Sequence, residues 1–181
     1  MAILKIARMG HPVLRRRATE VDQPIPGVVR QLALDMIETM VDAPGVGLAA
    51  PQVHVGWRVI VFRLPPDRIT GMPGDQPADA QALVNPEWEP LTEEMAYGWE
   101  GCLSIPGLRG MVPRYTRIRY RGLALDGSLV EREASGFHAR VVQHEMDHLD
   151  GVLYLDRMPD MRLLTFVEEM KYFGADAMPR G

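Results

Sequence analysis

Apolar residues recur along the chain at two periods, 3.6 and 2, and the switches between them outline its elements. Val29, Leu32, Ala33, Met36, Ile37 and Met40 keep helical spacing, which predicts a helix over 28–41 with one face on a core, ended by Pro44-Gly45. Met36 and Met40 lie on that stripe and read as core filler rather than ligands. Residues 57–64, with Arg58-Val59-Ile60-Val61-Phe62 at their centre, predict a strand, and 82–86 a short one ending at Pro86. Between them, 65–81 is rich in Pro, Gly, Asp and Ala and reads as a surface loop. Polar and apolar residues alternate over 115–125, the mark of a half-exposed strand, and Asp126-Gly127 turns the chain into a partner strand over 129–133. Phe137, Val141, Glu145 and His148 then follow i, i+4, i+8, i+11 spacing, with Ser135-Gly136 as a helix start and Gly151 as a stop. Leu163, Phe166, Val167, Met170 and Phe173 predict a last helix over 160–173, closed by Gly174.

Composition narrows the class. With 181 residues, the expectation is a single catalytic domain over 1–181 with a core of its own. The 46% hydrophobic and 24% charged fractions describe an ordinary globular protein, and no apolar run is long enough to span a bilayer. Residues 1–17 are interrupted by Lys5, Arg8 and His11 and do not read as a signal peptide. A net charge of −4 argues against DNA as a partner, and the basic run Leu14-Arg15-Arg16-Arg17 reads as a solvated stretch. Cys102 is the one cysteine, so no intramolecular disulfide forms; a reducing cytoplasm is the expected location.

The chemistry concentrates in the second helix. His144-Glu145-Met146-Asp147-His148 is an H-E-x-x-H pattern, and residues four apart share a helix face, so both imidazoles can grip one ion. Glu145 can then take a proton from water held at that ion. Catalytic sites of this kind use three protein ligands and leave one position open. The third ligand is either Cys102, as a thiolate in the tight loop Glu100-Gly101-Cys102-Leu103-Ser104, or a downstream carboxylate: Asp150, Asp156, Asp160, Glu168 or Glu169. The second alternative describes an H-E-x-x-H metallopeptidase. A closed structural metal module is a third possibility, disfavoured because there is no second cysteine. His11, His54 and His138 fall outside the ligand spacing. Gly45-Val46-Gly47-Leu48-Ala49-Ala50-Pro51-Gln52 lets backbone approach another group closely, and no Gly-Lys-Ser/Thr follows to make it a phosphate loop.

That glycine-rich segment, the Glu100–Ser104 loop and Gln143-His144-Glu145-Met146-Asp147-His148-Leu149-Asp150-Gly151 together resemble the three signature motifs of the peptide deformylases, in the family's order. The resemblance implies an α+β fold, with antiparallel β-sheets packed around a central metal-binding helix and with an N-terminal and a C-terminal helix. It implies hydrolytic removal of the N-formyl group from the initiator methionine of new polypeptides, releasing formate. Cys102, His144 and His148 would hold one divalent metal ion, physiologically ferrous iron, with zinc, nickel or cobalt able to replace it. Glu145 would move the proton, while the Gln52 amide and the Leu103 N–H would stabilise the oxyanion. Gly45, Val46, Gly47, Glu100, Arg109, Phe137 and Val141 would contact the substrate, with Glu100 and Gln143 also bracing the site. Trp99 and Arg140 stand where the family is not fixed and could reshape the pocket rim. The expected partners are N-formylmethionyl nascent peptides and, through the last helix, weakly the ribosome; the protein is expected to be a monomer.

Overall fold

The computed structural model describes residues 2–173. The first helix, α1 (Gly27–Asp42), leads through the glycine-rich segment into β1 (Gly47–Ala49), and β2 (Val59–Leu64) turns back against it. β3 (Ala78–Pro90) is followed by the hairpin of β4 (Met95–Cys102) and β5 (Ile105–Tyr115), then by β6 (Arg117–Leu123) and β7 (Leu129–Ser135). The second helix is α2 (Gly136–Leu149), and β8 (Leu164–Phe166) comes last. Among the described residues all strand pairings are antiparallel and form two sheets, ordered β1-β2-β3-β6-β7 and β4-β5-β8, with an isolated parallel bridge between Thr19 and Trp57 outside the strands.

Strand β2 shows why the pattern folds this way. Its Val59 and Val61 pack with Val29, Ala33, Met36 and Met40 of α1, whereas Ile60, Phe62 and Leu64 pack with Ala139, Val142 and Met146 of α2. A strand points successive side chains to opposite faces, so a near-continuous apolar run suits one covered by a helix on each side. Helix α2 touches β1, β2 and β7 of the larger sheet and β5 of the smaller, and residues 141–149 are all buried. That burial has a chemical consequence. Gln143, His144, Glu145, Asp147 and His148 lie inside the protein, where each polar group needs a partner or a function.

Two expectations are corrected. Residues 160–173 form no α-helix: they make a 3-10 turn at Met161–Leu163, then β8, then 3-10 turns over Val167–Tyr172. Leu108, Arg109 and Gly110 of β5 pair with Phe166, Thr165 and Leu164, so this segment satisfies a sheet edge that a helix would leave open. Nor is the apolar stripe a buried face, since Phe166 is 58% and Val167 44% exposed. Gly174 lies outside the described residues. The ribosome expectation rested on that helix and loses its carrier.

The second correction concerns 65–81. Strand β3 already begins at Ala78, and the loop before it is tied to α2. Ser135 does not cap that helix with its side chain; its hydroxyl donates to Pro73 O. The cap is Asp75, whose carboxylate accepts from the N–H groups of Phe137 (3.1 Å) and His138 (3.0 Å) and from the N–H and hydroxyl of Thr70 (2.8 and 2.6 Å). Burial pushes the Asp75 carboxyl up, but the Thr70 bonds and the two helix N–H groups outweigh it and hold it below the usual carboxylate value. With the folded value depressed, this contribution is fully present above the unfolded pKa of about 3.8 and is lost as pH falls through the lowered value. Asp75→Ala is expected to cost about 1–2 kcal/mol in urea unfolding at neutral pH, with the gap to wild type shrinking in acid. A gap unchanged at the acid end would mean that the cap does not act through its charge.

Candidate metal centre

Cys102 closes β4 at a bulge in its ladder with β5, immediately before the turn at Leu103-Ser104. This register sets the thiol against α2, where the ligand atoms of Cys102, His144 and His148 lie within 4.8 Å of one another. Sγ is 3.2 Å from His148 Nε2, and the two imidazoles sit 5.0 Å apart between centroids, one helical turn along the same face. Among the described residues no other group of three such side chains is this close. Of the downstream carboxylates, Asp150 pairs with Arg58 (2.8 Å), Asp156 with Arg15 and Asp160 with Arg162 (2.7 Å), while Glu168 and Glu169 are exposed and stand outside the ligand cluster.

A buried charge network orients the histidines. His144 Nδ1 donates to Glu100 Oε2 at 2.8 Å, leaving Nε2 for the ligand position. Glu100 also accepts from Arg114 Nε and Nη2, both at 2.9 Å, and from Arg140 Nη1 at 2.8 Å. The third Arg114 nitrogen donates to Asp147 at 2.6 Å, and Arg157 donates to the same carboxylate at 2.8 Å. Glu100, expected to touch substrate as well as to brace, therefore has both oxygens committed to bracing. Gln143 braces differently: its amide accepts from Tyr115 N–H and donates to Tyr115 O, stapling α2 to β5 without touching the ligands. No motif pointed to Arg114 or Asp147; the only hint is that Asp147 is an acidic residue on a helix otherwise committed to the interior.

Catalytic candidates surround a cavity of about 360 Å³ lined by Gly45, Val46 and Gly47 on one side, Leu103 and Arg109 on another, and Phe137 and Val141 from α2. Glu145 opens into it, and its buried Oε2 has no hydrogen-bond partner among the described residues. A Cβ on Gly47 would lie 2.1 Å from Glu145 Oε1, so glycine is what lets this carboxylate stand against β1. Burial pushes Glu145 up to about 7 against the pull of the His144 charge. The Gln52 amide is aimed by its own oxygen, which accepts from Ala49 N–H at 2.8 Å; its nitrogen then faces Cys102 Sγ (3.4 Å) and Ser104 Oγ (3.2 Å).

These residues fit a divalent ion. One thiol and two imidazoles are a soft-to-borderline donor set. Burial opposes protonation of His144, but bonds to Cys102 and Glu100 hold it well above the usual value, while burial and the His144 charge push His148 well below. His148 Nδ1 is buried with no partner among the described residues.

The comparison with known families agrees: the model described as polypeptide deformylase matches residues 3–163. The chain belongs to the polypeptide deformylase family. Peptide deformylase 1 of Bordetella pertussis is 49% identical over 163 residues, covering 90% of this chain and 92% of that protein. Peptide deformylase 1 of Nitrosomonas europaea is 44% identical over 168 residues, covering 93% and 94%. Among solved structures, the Met-Ala-Ser-bound class I type b peptide deformylase of Acinetobacter baumannii superposes with a TM-score of 0.79 at 39% identity, covering 87% of this chain and 99% of that one. As a peptide deformylase, the chain is a metal-dependent hydrolase that removes the formyl group from N-terminal methionine. No helix among its described residues is long and apolar enough to cross a membrane. The remaining histidines stay away from the centre. His138 is buried, donating to Gly74 O and accepting from Tyr120, while His11 and His54 meet edge to face at the surface.

Proposed function

We propose that Cys102, His144 and His148 hold one divalent ion, physiologically ferrous iron, and that Glu145 is the proton carrier for deformylation of N-formylmethionyl nascent peptides in the cytoplasm. The observation that carries this reading is that Glu145, with one buried oxygen left unpartnered among the described residues, lines the cavity beside the three convergent ligands. When bound, the ion supplies Lewis acidity, polarising a carbonyl and making water more acidic. Glu145 takes one proton from the attacking water as its oxygen bonds to the formyl carbon. The negative charge that develops on the former carbonyl oxygen is met by the Gln52 amide and the Leu103 N–H. Glu145 then passes its proton to the departing amine as the C–N bond breaks, leaving formate and a free N-terminus. The backbone of Gly45, Val46 and Gly47 and the Arg109 side chain would run beside the peptide, and Val46, Phe137 and Val141 would surround the methionine side chain. Supporting this, the Acinetobacter baumannii relative is bound to Met-Ala-Ser. We further propose that the chain acts as one catalytic domain and as a monomer.

The test is hydrolysis of formyl-Met-Ala-Ser under anaerobic conditions, with metal content measured on the same sample. Oxygen is excluded because ferrous iron and a ligating thiolate are both oxidisable. About one metal per chain with formate release is the expected result. A metal-loaded, folded protein that releases no formate would reject the reading. The metallopeptidase alternative needs a carboxylate ligand, but Asp150, Asp156 and Asp160 are paired with arginines, and Glu168 and Glu169 are exposed outside the ligand cluster.

A further inference from the structure

The part of the cavity proposed for the methionine side chain is lined by Val46, Phe137 and Val141, and Arg140 stands on the cavity wall with them. Positions 137, 140, 141 and 144 share a face of α2 by i, i+3, i+4, i+7 spacing, and all four line the cavity. Phe137 and Val141 are the residues an unbranched thioether requires. Arg140 is not, yet its guanidinium is unavailable to a ligand. Nη2 donates to Ala96 O (2.7 Å), and Nη1 donates to Glu100 Oε1 (2.8 Å), Val112 O (2.9 Å) and Gly98 O (3.5 Å). The side chain is 15% exposed and its charge is neutralised by Glu100. Gly98 is its complement. A Cβ there would lie 2.8 Å from both the guanidinium carbon and Nη2, so the flat group occupies the room a side chain at 98 would need.

We propose that Arg140 is the specificity-determining wall of this pocket: its guanidinium, pinned flat over Gly98, sets the room available to the first side chain of the substrate. An alkyl side chain in the same place could change rotamer and yield. Arg140 is tied to carbonyls of β4 and β5 and to one carboxylate, so yielding means breaking several hydrogen bonds at once in a buried setting. A wall of this kind admits an unbranched thioether or n-alkyl chain and rejects an aromatic ring. Because Glu100 also holds His144, Arg140 has a second effect, on the orientation of a ligand. That effect is common to every substrate, whereas the wall discriminates between them. The inference rests on the assignment of this cavity to the methionine side chain.

The experiment compares kcat/KM for formyl-Met-Ala-Ser and formyl-Phe-Ala-Ser in wild type, Arg140→Ala and Arg140→Lys, with metal content and urea unfolding followed in each. Wild type is expected to favour methionine strongly. Arg140→Ala should raise the Phe-to-Met ratio by about tenfold or more, within the roughly 10–200-fold that a methylene-sized change in a pocket is worth. Arg140→Lys keeps a cation for Glu100 but cannot cover Gly98, so its ratio should move the same way by less; it carries the test alone if the alanine variant does not fold. Equal losses on both substrates, with an unchanged ratio, would show that Arg140 acts only through Glu100 and would overturn the proposal. A wild-type protein that hydrolyses both substrates equally would overturn the pocket assignment itself, visible before any variant is made.

Discussion

Glu145→Gln is expected to keep its metal and its fold while losing about 10²–10⁴-fold in kcat/KM on formyl-Met-Ala-Ser. Glutamine has nearly the same shape, so it still fits against Gly47, but it cannot accept a proton from water and return it to the amine. Both halves of the reaction lose their carrier. Stability is expected to move in the opposite direction. In the metal-free chain burial holds the Glu145 carboxyl up at about 7, above its ordinary 4.5. Between those values the folded state binds more protons than the unfolded one, so this group's contribution is intact below about 4.5 and declines as pH rises towards 7. The glutamine variant has no such decline, and stripped of metal it should be at least as stable as wild type at pH 8. Loss of metal from the variant would make Glu145 a ligand; retained turnover would remove it from the reaction.

The largest stability effect is expected at Arg114. Its guanidinium sits between the Glu100 and Asp147 carboxylates, and all three side chains are 4–7% exposed. Arg114→Met keeps much of the volume but removes the cation, leaving two carboxylates in a low-dielectric interior. Breaking a buried pair in this way typically costs about 3–5 kcal/mol, because the remaining charge cannot return to water. Arg140 and His144 still hold Glu100, and Arg157 still holds Asp147, so a value near the lower end is expected. The pH profile should change as well. Burial raises Glu100, but the bonds and charge of Arg114, with His144, hold it far below the carboxylate range. Its contribution is therefore present above the unfolded value near 4.5 and survives into strong acid. Without Arg114 that acid limit should move upward. Urea unfolding at pH 7 and at pH 4 measures both effects, and a loss below about 1 kcal/mol at neutral pH would mean that the network is no stronger than a surface ion pair.

How much of this was legible beforehand depends on the range over which the information acts. Helix α1, strands β2, β6 and β7, the Asp126-Gly127 turn and the helix carrying both histidines follow from periodicity and turn chemistry within a few residues. The 160–173 segment misled because helical spacing of apolar residues is necessary for a buried helix but does not ensure that a face is buried. There the open edge of β5, more than fifty residues earlier in sequence, decided the conformation. Asp75 escaped notice for a related reason: a cap normally sits next to its helix, and this one arrives from a loop sixty residues upstream.

The sequence by itself determined which side chains could do the chemistry, since a ligand pair four residues apart and a base beside it are properties of one turn of helix. The family resemblance named Cys102 and Glu100 for the site, but only the tertiary structure decided how that strand end meets the turn, that Glu100 bonds His144 Nδ1, and that Arg114 and Arg140 neutralise the carboxylate. Those partners lie up to 46 residues away along the chain and have no shared spacing. Burial of α2 on all sides is the physical cause: once its polar residues leave water, each must be matched by whatever the surrounding strands bring within hydrogen-bonding distance.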